Sequence, residues 1–213
     1  GEPVSTYKIA STNRTIIGSM VNEAGGLPLD LGIARDSIEE IENKIKIGAE
    51  RADIIITFGG AGPGLNDFVC KAIENLGTII VQGIAIKPGK VAGLGIINGK
   101  PIVFLSGFPI GAMMGFESLA KPIIRKMLGL NKELKVIIKA KAVRKIASIP
   151  MVRDFTRIRV FKQDGQLFLE PMKKGAGVLS SMVKANGLLI IPEGKDGVEA
   201  GEEVEVELFR PIE

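Results

Sequence analysis

The sequence predicts an α/β fold, a doubly wound and mostly parallel sheet, followed by a small antiparallel β-barrel. Three observations predict it. Strands and helices alternate through the first 131 residues, glycines follow several of these strands, and short alternating strands then replace helical periodicity. We therefore expect an α/β domain over residues 1–131 and a barrel domain over residues 132–213.

The first elements are two helices separated by a short strand. Apolar residues at helical spacing predict a helix over 14–24, which Gly25 and Gly26 end. A short strand is expected over 27–32. Ser37 then precedes two glutamates as the N-cap of a second helix.

The rest of the α/β domain continues this alternation. A continuous run of β-branched residues predicts a buried parallel strand over 53–57. We expect a helix over 67–76, a strand over 78–81, a hairpin around Asn98 and Gly99, and a helix over 111–128. The barrel strands are expected over 136–143, 155–161, 167–171, 187–192 and 203–209, with one helix near 178–185.

Composition excludes several kinds of active site. The 213 residues include no His and a single Cys, Cys70, so the chain contains neither a Ser-His-Asp triad nor a His/Cys zinc site. A metal held by side chains would need oxygen ligands, which suits Mg²⁺. Chemistry must therefore come from carboxylates, lysines, arginines, hydroxyls and backbone amides.

Charge and hydropathy restrict the classes of partner that the chain is expected to bind. No apolar run approaches the roughly 18 residues of a membrane-spanning helix. Basic residues outnumber acidic ones between residues 121 and 174, which fits either a polyanion partner or a solvated barrel surface. Because the chain has no Trp and one Tyr, stacking of single-stranded bases is not expected. A single Cys cannot form an internal disulfide, which favours a cytoplasmic location. From the preceding observations we also expect neither a membrane nor a nucleic-acid partner.

A glycine-rich loop is the strongest candidate binding element. Gly59, Gly60, Gly62 and Gly64 follow a buried strand, and Asp67 precedes a helix. Glycines let backbone N–H groups approach an anion, and the helix N-terminus adds favourable partial charge. The pattern indicates phosphate or acidic-ligand binding, although tight turns need glycine too.

Three further clusters follow predicted strands. Lys87 and Lys90 flank a Pro-Gly turn, where two ammonium groups suit an oxyanion, or a solvated turn. Pro109 suits the first position of a helix, so the turn at residues 105–109 is a candidate site or a simple helix start. Asp36 lies between a strand and a helix, and is a candidate functional acid or a cap.

In this order, the clusters and the barrel resemble the C-terminal half of the molybdopterin molybdotransferases, the family homologous to the gephyrin E domain. The resemblance runs through nearly the whole chain. Its motifs are GEP at 1–3, STN at 11–13, EAGG at 23–26, GIARD at 32–36, TFGGAGPGLND at 57–67, KPGK at 87–90, LSGFP at 105–109, RDFTR at 153–157, SS at 180–181 and ANGL at 185–188.

The resemblance implies an activity and a set of site residues. Such enzymes take adenylylated molybdopterin and molybdate and, with Mg²⁺, place the metal on the dithiolene and release AMP. It implies functional roles for Asp36, Asp67 and Lys87, with both acids as Mg²⁺ ligands. The implied substrate-binding residues are Gly59, Gly60, Gly62, Gly64, Lys90, Ser106, Gly107, Pro109, Arg153, Arg157 and Ser180.

The resemblance also implies partners. It indicates a homodimer in which the barrel of one subunit borders the other's cleft, so that Arg153, Arg157 and Ser180 contribute across the interface. A molybdopterin adenylyltransferase is the expected pathway partner. Because the family carries a TGDEL strand before GEP, we interpret the chain as a fragment of a longer product.

Departures from the family pattern keep two alternatives open. Ser106 and Phe108 replace a proline and an asparagine of the family's LPGNP turn, and Gly83 replaces a lysine. Gly62 and its neighbours resemble the loop of the related molybdopterin adenylyltransferases, which use Mg-ATP. The alternatives are such an adenylyltransferase, or a molybdopterin-binding scaffold with impaired catalysis.

Overall fold

The computed structural model describes residues 11–60, 67–131 and 133–212. The helices of the first part are α1 (Asn13–Glu23), α2 (Ile38–Arg51), α3 (Phe68–Leu76), α4 (Pro109–Gly115) and α5 (Lys121–Met127), the last two joined by a π-helical turn, Phe116–Ala120. Its strands are β1 (Ile55–Phe58), β2 (Thr78–Gln82), β3 (Ile86–Lys87), β4 (Gly93–Ile97) and β5 (Lys100–Leu105).

The α/β part is a three-layer sandwich around a four-stranded sheet of order β1-β5-β4-β2. Successive side chains of β5 point to opposite faces, as the period of a strand requires. Ile102 and Phe104 pack with α2 and α3, whereas Val103 and Leu105 pack with α1 and the α4–α5 helical run. Because both faces are covered, these four side chains are fully buried.

The sheet is mixed, so the α/β class is confirmed while the expected parallel majority is not. Among the described strands, β1 and β5 pair in parallel, whereas β5 with β4 and β4 with β2 pair antiparallel. The Asn98-Gly99 turn explains one antiparallel pair. Both residues have positive φ, 50° and 78°, as a two-residue hairpin requires.

The strand expected over residues 27–32 is not formed. These residues have no regular secondary structure, and Leu27 is 95% exposed. A strand needs a neighbour that completes its hydrogen-bond ladder, and no described segment pairs with this one. Residues 27–32 instead line a groove of about 1000 Å³ together with α1 and β1.

The second part is a closed five-stranded barrel with strand order β10-β12-β6-β9-β8, and β8 pairs again with β10. Its elements are β6 (Val136–Ala142), β7 (Ile146–Ala147), β8 (Arg153–Gln163), β9 (Gln166–Pro171), α6 (Leu179–Lys184), β10 (Gly187–Ile191), β11 (Gly197–Val198) and β12 (Glu203–Leu208). The barrel is antiparallel except for the β6–β9 pair, which is parallel.

The two parts pack together through a strand and an apolar cluster. Short β3 pairs in parallel with the start of β8, with Ile86 opposite Arg153 and Lys87 opposite Asp154. Beside this pair, Ile110 and Met114 of α4 pack against Phe155 of β8.

No helix in the described part of the chain combines the length and apolar character needed to cross a bilayer.

Candidate functional site

The carboxyl ends of β1 and β5 bring two glycine turns together. The Gly59 N–H donates to the Leu105 carbonyl over 3.1 Å. A Cβ on Gly107 would lie 3.4 Å from the Gly59 Cα, so the two backbones are in close contact. Gly59 and Gly60 have positive φ of 82° and 69°, which glycine adopts at little cost. Gly62 and Gly64 lie outside the described residues.

Asp67 caps helix α3 at the end of this loop. Its Oδ1 accepts from the backbone N–H of Cys70 over 3.0 Å, and its Oδ2 accepts from Gln82 Nε2 over 3.0 Å. The residue is 9% exposed. The N-cap position follows from the sequence pattern, but the bond to Gln82 on β2 does not, because it joins residues 15 positions apart.

The buried Cys70 thiol lies beside Asp67. Burial, reinforced by the neighbouring carboxylate, raises the pKa of Cys70 to about 12. A thiol with that pKa stays protonated at neutral pH, and only the thiolate is a good nucleophile. Cys70 therefore contributes packing within the α/β core, as expected from its helical position.

The turn after β5 is built around Ser106 and Pro109. The buried Ser106 Oγ accepts from the Phe108 N–H over 3.1 Å, and Pro109 opens α4. Asn13 Nδ2 donates to the Gly107 carbonyl over 3.0 Å. In the sequence, Asn13 belongs to the STN motif at 11–13, for which no role was predicted. Its bond to the Gly107 carbonyl joins α1 to the turn.

Two buried oxygens near these turns lack partners among the described residues. They are Asn13 Oδ1 and Thr57 Oγ1. Thr57 lies on β1 just before the glycines, and Asn13 contacts the turn after β5. Burying a polar atom without a hydrogen bond costs free energy. Two such atoms distinguish this strand-end region from the apolar core around it.

The turn at residues 87–90 joins the same surface through glycine contacts. A Cβ on Gly89 would lie 2.8 Å from the Gly111 carbonyl oxygen of α4. A Cβ on Gly111 would in turn lie 2.8 Å from the Ser106 side chain. The three turns therefore form one continuous region. Within it, Lys87 is half-buried and its Nζ lies 3.5 Å from Asp154 Oδ2 of the barrel, whereas Lys90 is exposed.

Arg157 holds part of the barrel in place. It is 4% exposed, and burial lowers the pKa of its guanidinium from the ordinary value. Its Nε donates to Ser181 Oγ over 3.1 Å and its Nη2 to the Lys173 carbonyl over 2.9 Å. The neighbouring Ser180 is exposed. Ser181 rather than Ser180 is thus the serine that contacts Arg157.

Arg153 lies apart from Lys87. Opposite residues of the β3–β8 pair share a face, so Lys87 and Asp154 lie on one face and Ile86 and Arg153 on the other. Arg153 lines a cavity of about 450 Å³ and lies 3.4 Å from Glu193. The structure therefore places Arg153 on the face of β8 that Arg157 also occupies, opposite to that of Lys87 and Asp154.

The described residues form no metal site from protein ligands alone. Both oxygens of Asp67 already accept hydrogen bonds from the protein, and Asp36 is exposed in the bend before α2. Nowhere in residues 11–60, 67–131 and 133–212 do three Asp, Glu or Cys side chains converge as metal ligands. Because each carboxylate oxygen has a second lone pair, Asp36 and Asp67 stay available as ligands to a Mg²⁺ ion that substrate phosphates and water would also coordinate.

Comparisons with family models cover most of the chain. Residues 1–126 match a family model described as "Probable molybdopterin binding domain", and residues 139–209 match the MoeA C-terminal region, domain IV. The two matches follow the α/β part and the barrel.

Curated relatives match the chain over nearly its whole length. The chain is 30% identical over 212 residues to the molybdopterin molybdenumtransferase of Bacillus subtilis, covering 98% of this chain and 49% of that protein. It is 28% identical over 218 residues to the enzyme of the same name from Haemophilus influenzae, covering 100% and 53%. The chain thus spans about half the length of the curated relatives it matches.

A solved structure shares the fold. The molybdopterin biosynthesis MoeA protein from Pyrococcus horikoshii superposes with a TM-score of 0.82 at 32% identity, covering 99% of this chain and 51% of that one. Together, the two domain matches, the curated relatives and this superposition show that the chain belongs to the MoeA family.

Proposed function

We propose that this chain forms the pterin-binding and barrel portion of a molybdopterin molybdenumtransferase. Its substrates are adenylylated molybdopterin and molybdate, and its reaction places molybdenum on the pterin dithiolene and releases AMP. The observation that carries the proposal is the contact of three turns, at residues 59–60, 87–90 and 105–109, on one surface.

The chemistry of that surface supports a phosphorylated ligand. Close approach of Gly59 to Gly107 leaves room for a ligand to meet backbone amides without a side chain intervening. Breaking a phosphoanhydride P–O bond develops negative charge on the leaving phosphate oxygens. The ammonium group of Lys87 and the backbone N–H groups of the turns would stabilise that charge.

Asp67 would act from a fixed position. Its carboxylate is held at both oxygens, by Cys70 N–H and Gln82, so it does not need to be ordered when substrate binds. Asp36 is the second acid in the proposal, and its exposure leaves it free to meet a ligand. Lys90, Ser106 and Pro109 complete the substrate contacts on this subunit.

Several further parts of the proposal come from the family. They are the homodimer with Arg153, Arg157 and Ser180 facing a partner's cleft, the adenylyltransferase as pathway partner, Mg²⁺ as activator, and a cytoplasmic location. Arg157 and Ser180 differ in how available their side chains are to a partner subunit. Ser180 is exposed, whereas Arg157 already bonds its own chain.

The alternative of an adenylyltransferase that uses Mg-ATP loses support from the barrel. Residues 139–209 match the C-terminal region of MoeA, and the barrel packs directly on the candidate site through β3. A binding scaffold with impaired catalysis stays the second candidate. Phe108 favours it, since a 64% exposed aromatic ring stands where the family turn carries asparagine.

Ligand choice tests the proposal. Calorimetric titration of the protein with adenylylated molybdopterin, ATP and molybdopterin should give the tightest binding with the adenylylated pterin. Asp67→Asn should retain that binding. Tighter binding of ATP than of the adenylylated pterin would favour the adenylyltransferase, and binding to none of the three would refute a pterin site.

A further inference from the structure

Phe108 departs from the local rules for its position in two ways. It is the N-cap of α4, and its side chain makes no capping hydrogen bond. Polar residues are preferred at this position because a side-chain oxygen accepts from the first backbone N–H groups of the helix. The ring is also 64% exposed. A single exposed apolar side chain is ordinary, but one that also takes the place of a helix cap is not explained by the local structure.

The backbone that carries Phe108 is fixed on both sides. Its N–H donates to the Ser106 Oγ over 3.1 Å, and its carbonyl accepts from the Ala112 N–H over 2.9 Å. Two residues further, the Ile110 N–H donates to the Ala176 carbonyl of the barrel over 2.9 Å. The ring therefore extends from a turn that is bonded to the helix and to the barrel.

One edge of the ring contacts the barrel at a glycine. A Cβ on Gly177 would lie 3.4 Å from Cδ1 and 3.9 Å from Cε1 of Phe108. Because position 177 has no side chain, nothing from that residue covers the ring. The contact orients the ring, and most of its surface stays open to a ligand.

The ring adjoins the contact between the two glycine turns. Gly107, the residue before Phe108, is the one that approaches Gly59. Consecutive Cα atoms are about 3.8 Å apart, so a phosphate bound at these turns would hold its attached groups within reach of the ring. The adenylylated pterin of the proposed function carries two planar heteroaromatic rings, adenine and pterin. Such rings stack favourably on an open aromatic face.

We propose that Phe108 is a stacking platform for a planar heteroaromatic ring of the substrate, and thereby a specificity-determining residue of the site. The inference rests on the proposed function for the identity of the ligand. It requires binding alone, so it applies equally to the transferase and to a binding scaffold. The stacked ring is either the adenine or the pterin. In this account α4 lacks a side-chain cap because a ligand-binding ring occupies that position.

Calorimetric titration with three ligands tests the platform. AMP carries adenine and a phosphate, molybdopterin carries the pterin and a phosphate, and ribose 5-phosphate carries a phosphate without a planar ring. Each is titrated into the wild type and into Phe108→Asn, Phe108→Leu and Phe108→Tyr. Phe209→Leu is the matched control, because Phe209 follows β12 and is the other phenylalanine of the described residues with a largely exposed ring, at 40%. Thermal unfolding of each variant checks that it is folded.

We expect Phe108→Asn and Phe108→Leu to weaken binding of a ring-bearing ligand about tenfold, the loss of one stacked ring. Phe108→Tyr keeps an aromatic face, so it should bind within about twofold of the wild type. Ribose 5-phosphate should bind equally to every variant. A loss with AMP identifies adenine as a stacked ring, and a loss with molybdopterin identifies the pterin. Both results support the platform.

The melting temperature separates a binding role from a structural one. Phe108→Asn supplies a capping side chain to α4, so it should raise the melting temperature while it weakens binding. A residue that only supported the fold would lower both when replaced. Opposite changes in the two measurements are therefore the expected result.

Four results would overturn the inference. A folded Phe108→Leu variant could bind AMP and molybdopterin as the wild type does, or the wild type could show no saturable binding of either up to about 10 mM. An equal loss with ribose 5-phosphate, or in Phe209→Leu, would mean that the Phe108 ring does not recognise a planar group. A lower melting temperature together with weaker binding in Phe108→Asn would reduce Phe108 to a structural role. Absence of AMP release from the adenylylated pterin, with the binding effects in place, would refute the transferase while leaving this inference standing.

Discussion

At the scale of single residues, Asp67 both caps helix α3 and belongs to the candidate site. Its two oxygens have different partners, the N-terminal turn of α3 and the side chain of Gln82 on β2. A carboxylate held at both oxygens has one orientation, and that orientation is set by packing within the α/β core. The same residue can therefore be tested for stability and for activity separately.

Asp67→Ala should lower the free energy of unfolding by about 1 kcal/mol, because it removes the side-chain cap of α3. Asp67→Asn should lower it less, since its amide oxygen still accepts from the Cys70 N–H. Urea denaturation of both variants measures the difference. Equal losses in the two variants would mean that the cap bond does not stabilise the helix.

The Cys70 thiol should resist alkylation in the folded protein. Its pKa of about 12 leaves almost no thiolate at pH 8, whereas an unfolded cysteine has a pKa near 8.5. We expect iodoacetamide to label Cys70 at pH 8 only in denaturant. Rapid labelling of the native protein would show that the thiol is accessible and ionised.

The same shift gives a pH dependence. Above about pH 9 the unfolded chain loses the thiol proton while the folded chain keeps it, so ionisation favours the unfolded state. Stability from this group is complete below that pH and declines as the pH rises toward 12. Cys70→Ala should make the decline in unfolding free energy between pH 9 and 11 shallower, measured against wild type in urea. An unchanged slope would contradict it.

Some of these residues could be read from the sequence and others could not. Asp67 as a cap and Pro109 as a helix start follow from local pattern, and the structure confirms both. The contacts of Gln82 with Asp67 and of Asp154 with Lys87 were missed because the partners are distant in sequence. No local spacing reports such contacts.

At the scale of elements, the turn at residues 87–90 depends on glycine. Gly89 has φ of 114°, and a Cβ there would lie 2.8 Å from the Gly111 carbonyl oxygen. The turn is thus seated on α4 by direct backbone contact. Since Lys87 begins the same turn, its position depends on that contact.

Gly89→Ala should destabilise the protein more than Gly99→Ala. Both positions have positive φ, so both substitutions carry a conformational cost of about 1–2 kcal/mol. A Cβ at Gly99 meets nothing within 4 Å, whereas at Gly89 the crowding adds about 1–3 kcal/mol. Chemical denaturation of both variants checks the order, and similar losses would contradict the close packing of the turn on α4.

Residues 172–178 form the second element that depends on one side chain. Arg157 donates to two carbonyls of this segment and to Ser181 of α6. Removing the guanidinium leaves these buried or half-buried acceptors without a donor. The segment carries Lys173 and Lys174, which are trypsin sites once the backbone is free.

Arg157→Ala should lower the free energy of unfolding by about 3 kcal/mol and expose the segment to trypsin after Lys173 or Lys174. Arg159→Ala is the control on the same strand, because Arg159 is half exposed and its salt bridge to Glu170 at 3.9 Å is worth little. Mass spectrometry of the fragments identifies the cut. Equal protection of residues 172–178 in both variants would refute this role of Arg157.

Secondary structure was predicted correctly where it follows from local periodicity, and wrongly where it depends on pairing with a neighbouring strand. The helices and the main barrel strands follow from their patterns within a few residues. Residues 27–32 have a strand-like pattern, but no described neighbour completes a ladder. A strand before the turn at residues 87–90 was expected, but the pairing of β3 with β8, which joins the two parts of the molecule, was not, because no local spacing reports a contact between distant segments.

At the scale of the whole molecule, the barrel contributes to the candidate site. It supplies Asp154 to Lys87, and its residues 172–178 contact the turn at the start of α4. The α/β part alone would present the glycine turns without these barrel contacts.

The function of the whole molecule is tested most directly by AMP release. Adenylylated molybdopterin is incubated with the protein, including any upstream portion encoded with it, at increasing molybdate, and AMP is quantified by chromatography. We predict AMP release that rises with molybdate to saturation and is abolished by Asp67→Asn. AMP release independent of molybdate, or none despite tight binding of the adenylylated pterin, would contradict the transferase and favour a binding scaffold.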